Sequence, residues 1–399
     1  MAAALLIIVV LFAFVGLDFF SKKAMPTEPE VFVGVDVGYG DANTVYQVAN
    51  AVAGYANLIV LGSLELTQNT TALLSVCDFL YARGFYFIIY VGFGNFTYVP
   101  PRGPDPNFFN ATYGRWGNKF LGIYLFDEIG GKQLDAEPEK PVEASQVAPV
   151  YVQNHVYSYV SQAYISTIIG DTAEIVEWYT PPYPDCFLSD YALYWFDYLG
   201  GYQTVFAEFD GNMSRQIAIS MCRGAAHTLG MNAGHTQGQE WGVIITWKYD
   251  QPPFLENGSQ LYSDMVLAYE NDAKYIIVFN SPDNSSIPGA IGTLTNDQLS
   301  WMQRFWAYIK ANPRSSSYPA DVAYVLPSDY GYGMRGPNDT IWGIWPADNN
   351  SSIIWSEANS LLSTYGSKLD IVYATKTSSE AITLPYSKLI FWNGTVIQK

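Results

Sequence analysis

Eight short runs rich in Val, Ile, Leu, Tyr and Phe recur between residues 31 and 280, and segments with helical periodicity separate many of them. The runs are Val31–Val37, Leu58–Leu64, Phe85–Val91, Gly122–Phe126, Cys186–Tyr191, Thr204–Phe209, Gly242–Trp247 and Lys274–Phe279. Strands that are apolar almost throughout belong to a parallel sheet buried on both faces. The helical patterns include Ala42–Ala53, Thr71–Ala82, Gln146–Ile169, Ser214–Leu229, Ser259–Asn271 and Asn296–Ala311. Eight such units within about 280 residues predict an α/β chain folded as a (β/α)8 TIM barrel. A doubly wound open sheet is the alternative.

The Ser- and Pro-rich stretch Pro313–Pro319 marks a boundary after a barrel domain predicted over 31–312. Beyond it, strands at Val322–Leu326, Leu369–Tyr373 and Lys388–Trp392 and a helix at Ile354–Tyr365 form a small α/β appendix over 320–399. At the other end, residues 1–20 are apolar except for Asp18, and a polar stalk, 21–30, follows. That length just spans a bilayer, so a transmembrane anchor is expected, with a cleaved signal segment as the alternative.

Which side of a membrane the domain faces is a contest between two signals. Lys22 and Lys23 follow the apolar run, which points to the cytoplasm. Ten Asn-x-Ser/Thr sequons, at Asn69, Asn95, Asn110, Asn212, Asn257, Asn284, Asn338, Asn349, Asn350 and Asn393, point to a glycosylating exterior. Ten spread along the whole domain outweigh two lysines, so an extracellular location is expected, on the membrane face or secreted. With 37 acids against 20 bases, a net charge of −17, the chain lacks the cations to neutralise phosphates, and a nucleic-acid partner is excluded. Three cysteines admit a Cys186–Cys222 disulfide or three small buried hydrophobes, and no metal-ligand spacing accompanies them.

A barrel presents chemistry at the carboxyl ends of its strands. Those ends carry Asp36 and Asp41, Glu65, Asn95, Asp127 and Glu128, Asp190, Glu208 and Asp210, Asp250, and Asn280. Asp41 and Asp190 are better read as helix caps. Glu208 is not, because it sits inside the apolar run Val205-Phe-Ala-Glu208-Phe209, where a carboxyl without a partner is costly. Side chains alternate along a strand, so Asp127 and Glu128 cannot both face the barrel mouth unless the strand has ended before them.

The expected assignment is a glycosidase carboxylate pair: Glu128 as proton donor, Glu208 as nucleophile or base, and Asp127 as the acid that orients the sugar or tunes Glu128. Asp36, Tyr90, Asp210, Trp247, Tyr249 and Asp250 are the expected substrate-binding residues. Tyr39, Phe93, Tyr98, Trp116, Tyr191, Tyr194 and Trp195 add rings near strand ends that are able to stack on pyranose faces.

The run Gly122-Ile-Tyr-Leu-Phe-Asp127-Glu128 resembles the fourth-strand motif of spherulin-4-like glycoside hydrolases, barrels that act on galactosamine-containing polysaccharides. The resemblance implies catalytic roles for Asp127, Glu128 and the later strand-end Glu208. The appendix and the Gln133–Val147 loop depart from that pattern.

No cofactor is implied. Gly331-Tyr-Gly333-Met-Arg-Gly336 has dinucleotide-loop spacing but runs into Pro337 instead of a helix start, so no nucleotide partner is expected. The rival to an enzyme is a glycosylated, non-catalytic surface protein that binds envelope carbohydrate. The relative position of Glu128 and Glu208 separates the two.

Overall fold

The computed structural model describes residues 28–92, 104, 106–137, 140–178, 185–211, 213–232, 239–245, 257–280, 294–314, 319–374 and 384–399. Eight parallel strands close into a barrel: β1 (Phe32–Val37), β2 (Leu58–Leu61), β3 (Tyr86–Val91), β4 (Phe120–Leu125), β5 (Asp185–Asp190), β6 (Thr204–Phe209), β7 (Glu240–Ile245) and β8 (Tyr275–Asn280). β8 pairs back onto β1 over six residues, from Phe32 opposite Tyr275 to Val37 opposite Asn280. The barrel is the one the apolar runs predict.

The N-terminal part of the fold expectation is corrected. Among the described residues no helix is long and apolar enough to cross a membrane. The anchor expected over 1–20 and most of the stalk lie outside the described residues. The architecture is therefore a barrel with a small sheet and no membrane-spanning helix among the described residues.

The barrel interior is packed, not hollow. Phe32, Leu58, Val60, Tyr86, Ile88, Tyr124, Phe187, Phe206, Ile244, Tyr275 and Ile277 form one buried cluster. Phe32 stacks on Tyr275 with ring centroids 4.9 Å apart and meets Tyr86 edge-on at 5.0 Å. Strand side chains repeat every two residues, so the next inward positions toward the carboxyl ends are fixed by this cluster. They are Asp36, Gly62, Tyr90, Ser189, Glu208 and Phe279. The floor of any site at the mouth follows from the packing below it.

The flanking helices start where capping chemistry dictates. Asp41 accepts the backbone N–H groups of Asn43 and Thr44 at 2.9 and 3.2 Å, opening the helix Ala42–Val52. Thr295 and Gln298 form a capping box at the helix Asn296–Ala311. The single helix expected over Gln146–Ile169 is broken instead. A short helix Pro149–Gln153 begins at its proline, His155 takes φ 50°, and a new helix, Tyr157–Trp178, starts beyond it.

C-terminal to the barrel, β9 (Val322–Leu326), β10 (Leu369–Tyr373), β11 (Lys388–Phe391) and β12 (Val396–Gln398) form a four-stranded sheet in the order β10-β9-β11-β12. β9 pairs in parallel with β10 and β11, and β12 runs antiparallel at the edge. A buried ion pair joins this sheet to the barrel. Arg223, fully buried on the helix Arg215–Asn232, donates to Asp370 of β10 at 2.8 Å, to Asn271 Oδ1 at 2.8 Å, and to the carbonyls of Ser367 and Leu369 at 2.9 Å each. Tyr386 donates to the other Asp370 oxygen at 2.8 Å. Cys77, Cys186 and Cys222 are all free and buried, so no disulfide forms.

Candidate active site

At the carboxyl mouth of the barrel lies a cavity of about 600 Å³, lined from β1 and its loop by Asp36, Gly38, Tyr39 and Gly40. Gly62, Ser63, Leu64 and Glu65 line it after β2, and Tyr90 lines it from β3. Tyr124, Asp127, Glu128, Ser189, Glu208, Ile244 and Phe279 complete the wall. The inward positions named above form its floor.

Asp127 and Glu128 both line this cavity. The alternation that would have separated them does not apply, because β4 stops at Leu125. Phe126 and Glu128 then adopt left-handed backbone, φ 62° and 58°, and the helix Ile129–Leu134 begins. The turn throws both carboxyls to the same side. Tyr124 donates its hydroxyl to Asp127 at 2.5 Å, and Lys132 ties the Asp127 carbonyl at 2.7 Å.

Glu128 and Glu208 line the same cavity, near enough for the Glu128 charge to act on the Glu208 carboxyl. Glu208 is 4 % exposed and also accepts the Ser189 hydroxyl. Burial first, then the Asp127 charge, pushes the Glu128 carboxyl up to about 8, while Lys132 pulls it back. Burial also raises Glu208 well above the ordinary range, with the Glu128 and Asp127 charges adding to it and the Ser189 hydrogen bond opposing it. Two buried carboxyls that feel each other's charge do not both ionise easily. The ionised forms of both are therefore disfavoured.

Asp36 is 3 % exposed, and its Oδ1 has no hydrogen-bond partner. Its carboxyl is raised by burial and by Asp127, and the Gly62 N–H opposes the rise. Burial, again with the neighbouring Asp127, Asp36 and Glu208 charges, raises the Tyr124 hydroxyl. The mouth thus gathers acids whose burial disfavours their ionised forms. Among the described residues, no group of three or more His, Cys, Asp or Glu side chains is arranged to hold a metal ion.

Of the residues expected to bind substrate, Asp36 and Tyr90 line the cavity and Asp210 does not, while Trp247, Tyr249 and Asp250 lie outside the described residues. Tyr39 lines the mouth and is 53 % exposed. Trp116, Tyr194 and Trp195 are buried packing residues, and Phe93, Tyr98 and Asn95 lie outside the described residues. Asp190 caps, but not the helix that follows it. It accepts the N–H groups of Gly130, Gly131, Tyr191 and Ala192, so β5 holds the start of the helix after Glu128. Tyr124 and Ser189 are site residues that strand-end reading passes over, because both sit within apolar runs. The two-residue period counted from Phe187 finds Ser189, and the spacing of three to Asp127 finds Tyr124.

No protein-family model and no curated protein sequence matches the chain. Solved structures do resemble it. A variant of the GH5_18 glycoside hydrolase from Streptomyces cattleya, in complex with Manβ1-4GlcNAc, superposes with a TM-score of 0.51 at 12 % identity, covering 91 % of this chain and 99 % of that one. The GH5_18 protein of Bifidobacterium longum gives 0.50 at 11 % identity, covering 93 % and 99 %. A β-galactosidase from the haloarchaeon Halorubrum lacusprofundi gives 0.52 at 10 % identity, covering 90 % of this chain and 69 % of that one. At such identities the likeness establishes the shared barrel fold. The Gly331–Gly336 segment is followed by no helix start, and a β-carbon at Gly331 would overlap the Trp342 ring.

Proposed function

We propose that the chain is a glycoside hydrolase that cleaves glycosidic bonds of a polysaccharide or glycan with Glu128 and Glu208 as its reacting carboxyls. The observation that carries this is their convergence at the carboxyl mouth of a barrel, in one open cavity, with the Glu128 proton retained to about pH 8. A carboxylic acid that keeps its proton at neutral pH is what protonation of a leaving oxygen requires. Barrels of the same fold that carry glycosidase names, one with a bound disaccharide, support the reading.

In this scheme the sugar enters between the two carboxyls, whose separation in the complex decides between retention and inversion. The glycosidic C–O bond breaks, its electrons pass to the leaving oxygen, and that oxygen takes the Glu128 proton. Glu208 attacks the anomeric carbon, forming a glycosyl ester that a water deprotonated by Glu128 then cleaves, or it takes a proton from a water that attacks directly. The Ser189 hydroxyl bonds the ionised Glu208 that either route needs, against the burial that disfavours it. Asp127 raises Glu128 by its charge, and Asp36 and Tyr90 contact the ring.

The finer reading is an amino-sugar polymer, as in the spherulin-4-like enzymes. Asp36, Glu65, Asp127, Glu128 and Glu208 line the cavity, and no Lys, Arg or His is among its described lining residues, a setting that favours an ammonium group on the substrate. Release of reducing ends from a panel of amino-sugar, N-acetylated and neutral polysaccharides tests it. Release from the neutral members alone refutes the amino-sugar reading, and release from none refutes the hydrolase.

An extracellular setting belongs to the same proposal. Asn69, Asn110, Asn257, Asn338, Asn349 and Asn393 are exposed, as glycan acceptors must be. The intact mass of the native protein reads attached glycans directly, and a bare chain refutes that setting.

A further inference from the structure

Glu128 stands on backbone that resists being there. Left-handed φ at Phe126 and at Glu128 costs about 1 kcal/mol or more each, and such residues persist only where their surroundings over-determine them. From the barrel side, the Glu128 N–H donates to the Ser189 carbonyl at 2.8 Å, and Asp190 caps Gly130 and Gly131. A β-carbon at Gly131 would overlap the Tyr191 ring, so that face is closed.

The far end of the same short helix is held by a different part of the molecule. Gln133 is fully buried, and its amide donates to the carbonyls of Val142 at 3.1 Å and Trp342 at 2.9 Å while accepting the Val142 N–H at 2.8 Å. Thr340 donates to the Leu134 carbonyl at 2.9 Å. Arg335 bridges Asp135 at 2.9 Å and Asp339 at 2.7 Å. Gly343, at φ +63°, lies so close to the Gln133 carbonyl that a β-carbon there would overlap it. Every one of these partners belongs to the loop that follows β9, apart from the local Val142.

We propose that the loop 331–345 after β9 is a positioning element for the reacting pair, acting through Gln133 to fix the turn that carries Glu128. The small sheet, which lines no part of the cavity, then has a role in it. The inference rests on Glu128 and Glu208 being the reacting groups, but its effect on Glu128 is readable without substrate.

The test compares Gly343→Ala with Gly394→Ala. Both glycines have left-handed φ, +63° and +82°, and both lie C-terminal to β9, but nothing lies within 4 Å of a β-carbon at Gly394. The titration of Glu128 is followed in the full chain by side-chain carboxyl NMR, assigned by the signal lost in Glu128→Gln. Loosening the turn admits water to the Glu128 carboxyl, whose rise comes first from burial, so Gly343→Ala moves the titration down from about 8 by about one pH unit or more. Gly394→Ala leaves it in place. Where hydrolysis is measurable, kcat for Gly343→Ala falls about 10- to 100-fold with KM little changed.

A folded Gly343→Ala with a wild-type titration overturns the proposal, as does an equal shift in both variants. If Gly343→Ala does not fold, Arg335→Gln gives the same reading from a half-buried side chain, and an unchanged Glu128 titration there overturns it too. Wild-type protein inactive on every polysaccharide would refute the hydrolase and leave the titration result standing.

Discussion

Replacing Glu128 by glutamine is expected to stabilise the protein at alkaline pH. In the folded chain the Glu128 carboxyl is held up to about 8 by burial and by Asp127, against an ordinary 4.5 once unfolded. The folded state therefore binds this proton more tightly than the unfolded chain does. Its contribution to stability is complete below about pH 4.5 and is lost progressively as pH rises toward 8. At ~1.4 kcal/mol for each pH unit, the interval amounts to about 5 kcal/mol, of which about 4 kcal/mol is lost between about pH 5 and about pH 9. Glutamine has the same shape and no proton to lose, so Glu128→Gln escapes this part of the loss. The assay is urea unfolding of both proteins at the two pH values. The variant should match the wild type near pH 5 and exceed it near pH 9 by an amount of order 4 kcal/mol. A gain under about 1 kcal/mol would mean that Glu128 is solvated and unperturbed, and the description of the pair would fall. A residue whose removal stabilises the fold is held for chemistry, not for packing.

Two further outcomes follow from named contacts. Arg223→Met leaves Asp370 buried without its cation and should cost about 3–5 kcal/mol in chemical denaturation. The double variant with Asp370→Leu should recover most of that, and an additive loss would contradict the pairing. Ser189→Ala removes the hydroxyl that favours ionised Glu208, so the acid limb of the kcat/KM profile should move up by about one pH unit with little change in melting temperature. A limb that stays in place counts against Glu208 acting as a carboxylate.

The barrel was legible because its eight strands are apolar on both faces, a pattern that few other folds require. The acids at the mouth were legible because carboxyls are rare in this chain, 37 in all, and Glu208 interrupts an apolar run. What escaped is tertiary. Nothing local to Asp190 says that its carboxylate will cap a helix about 60 residues earlier in sequence. Nothing local to Phe126 says that it will turn left-handed and so bring Asp127 and Glu128 to one face. The split at His155 and the exposed edge strand β12 likewise leave no burial period to read. The long Gln133–Val147 segment reads in the sequence only as a departure from the resembled pattern, yet Gln133 is where the region after β9 grips the turn that carries Glu128.

The central claim is that Glu128 donates a proton to a leaving sugar oxygen. It is tested most directly by measuring Glu128→Gln on a polysaccharide substrate and on an aryl glycoside whose leaving group needs no protonation. The account predicts a loss of about 10²- to 10⁴-fold on the polysaccharide and near wild-type cleavage of the activated glycoside. Equal loss on both substrates, or no loss on either, would contradict it.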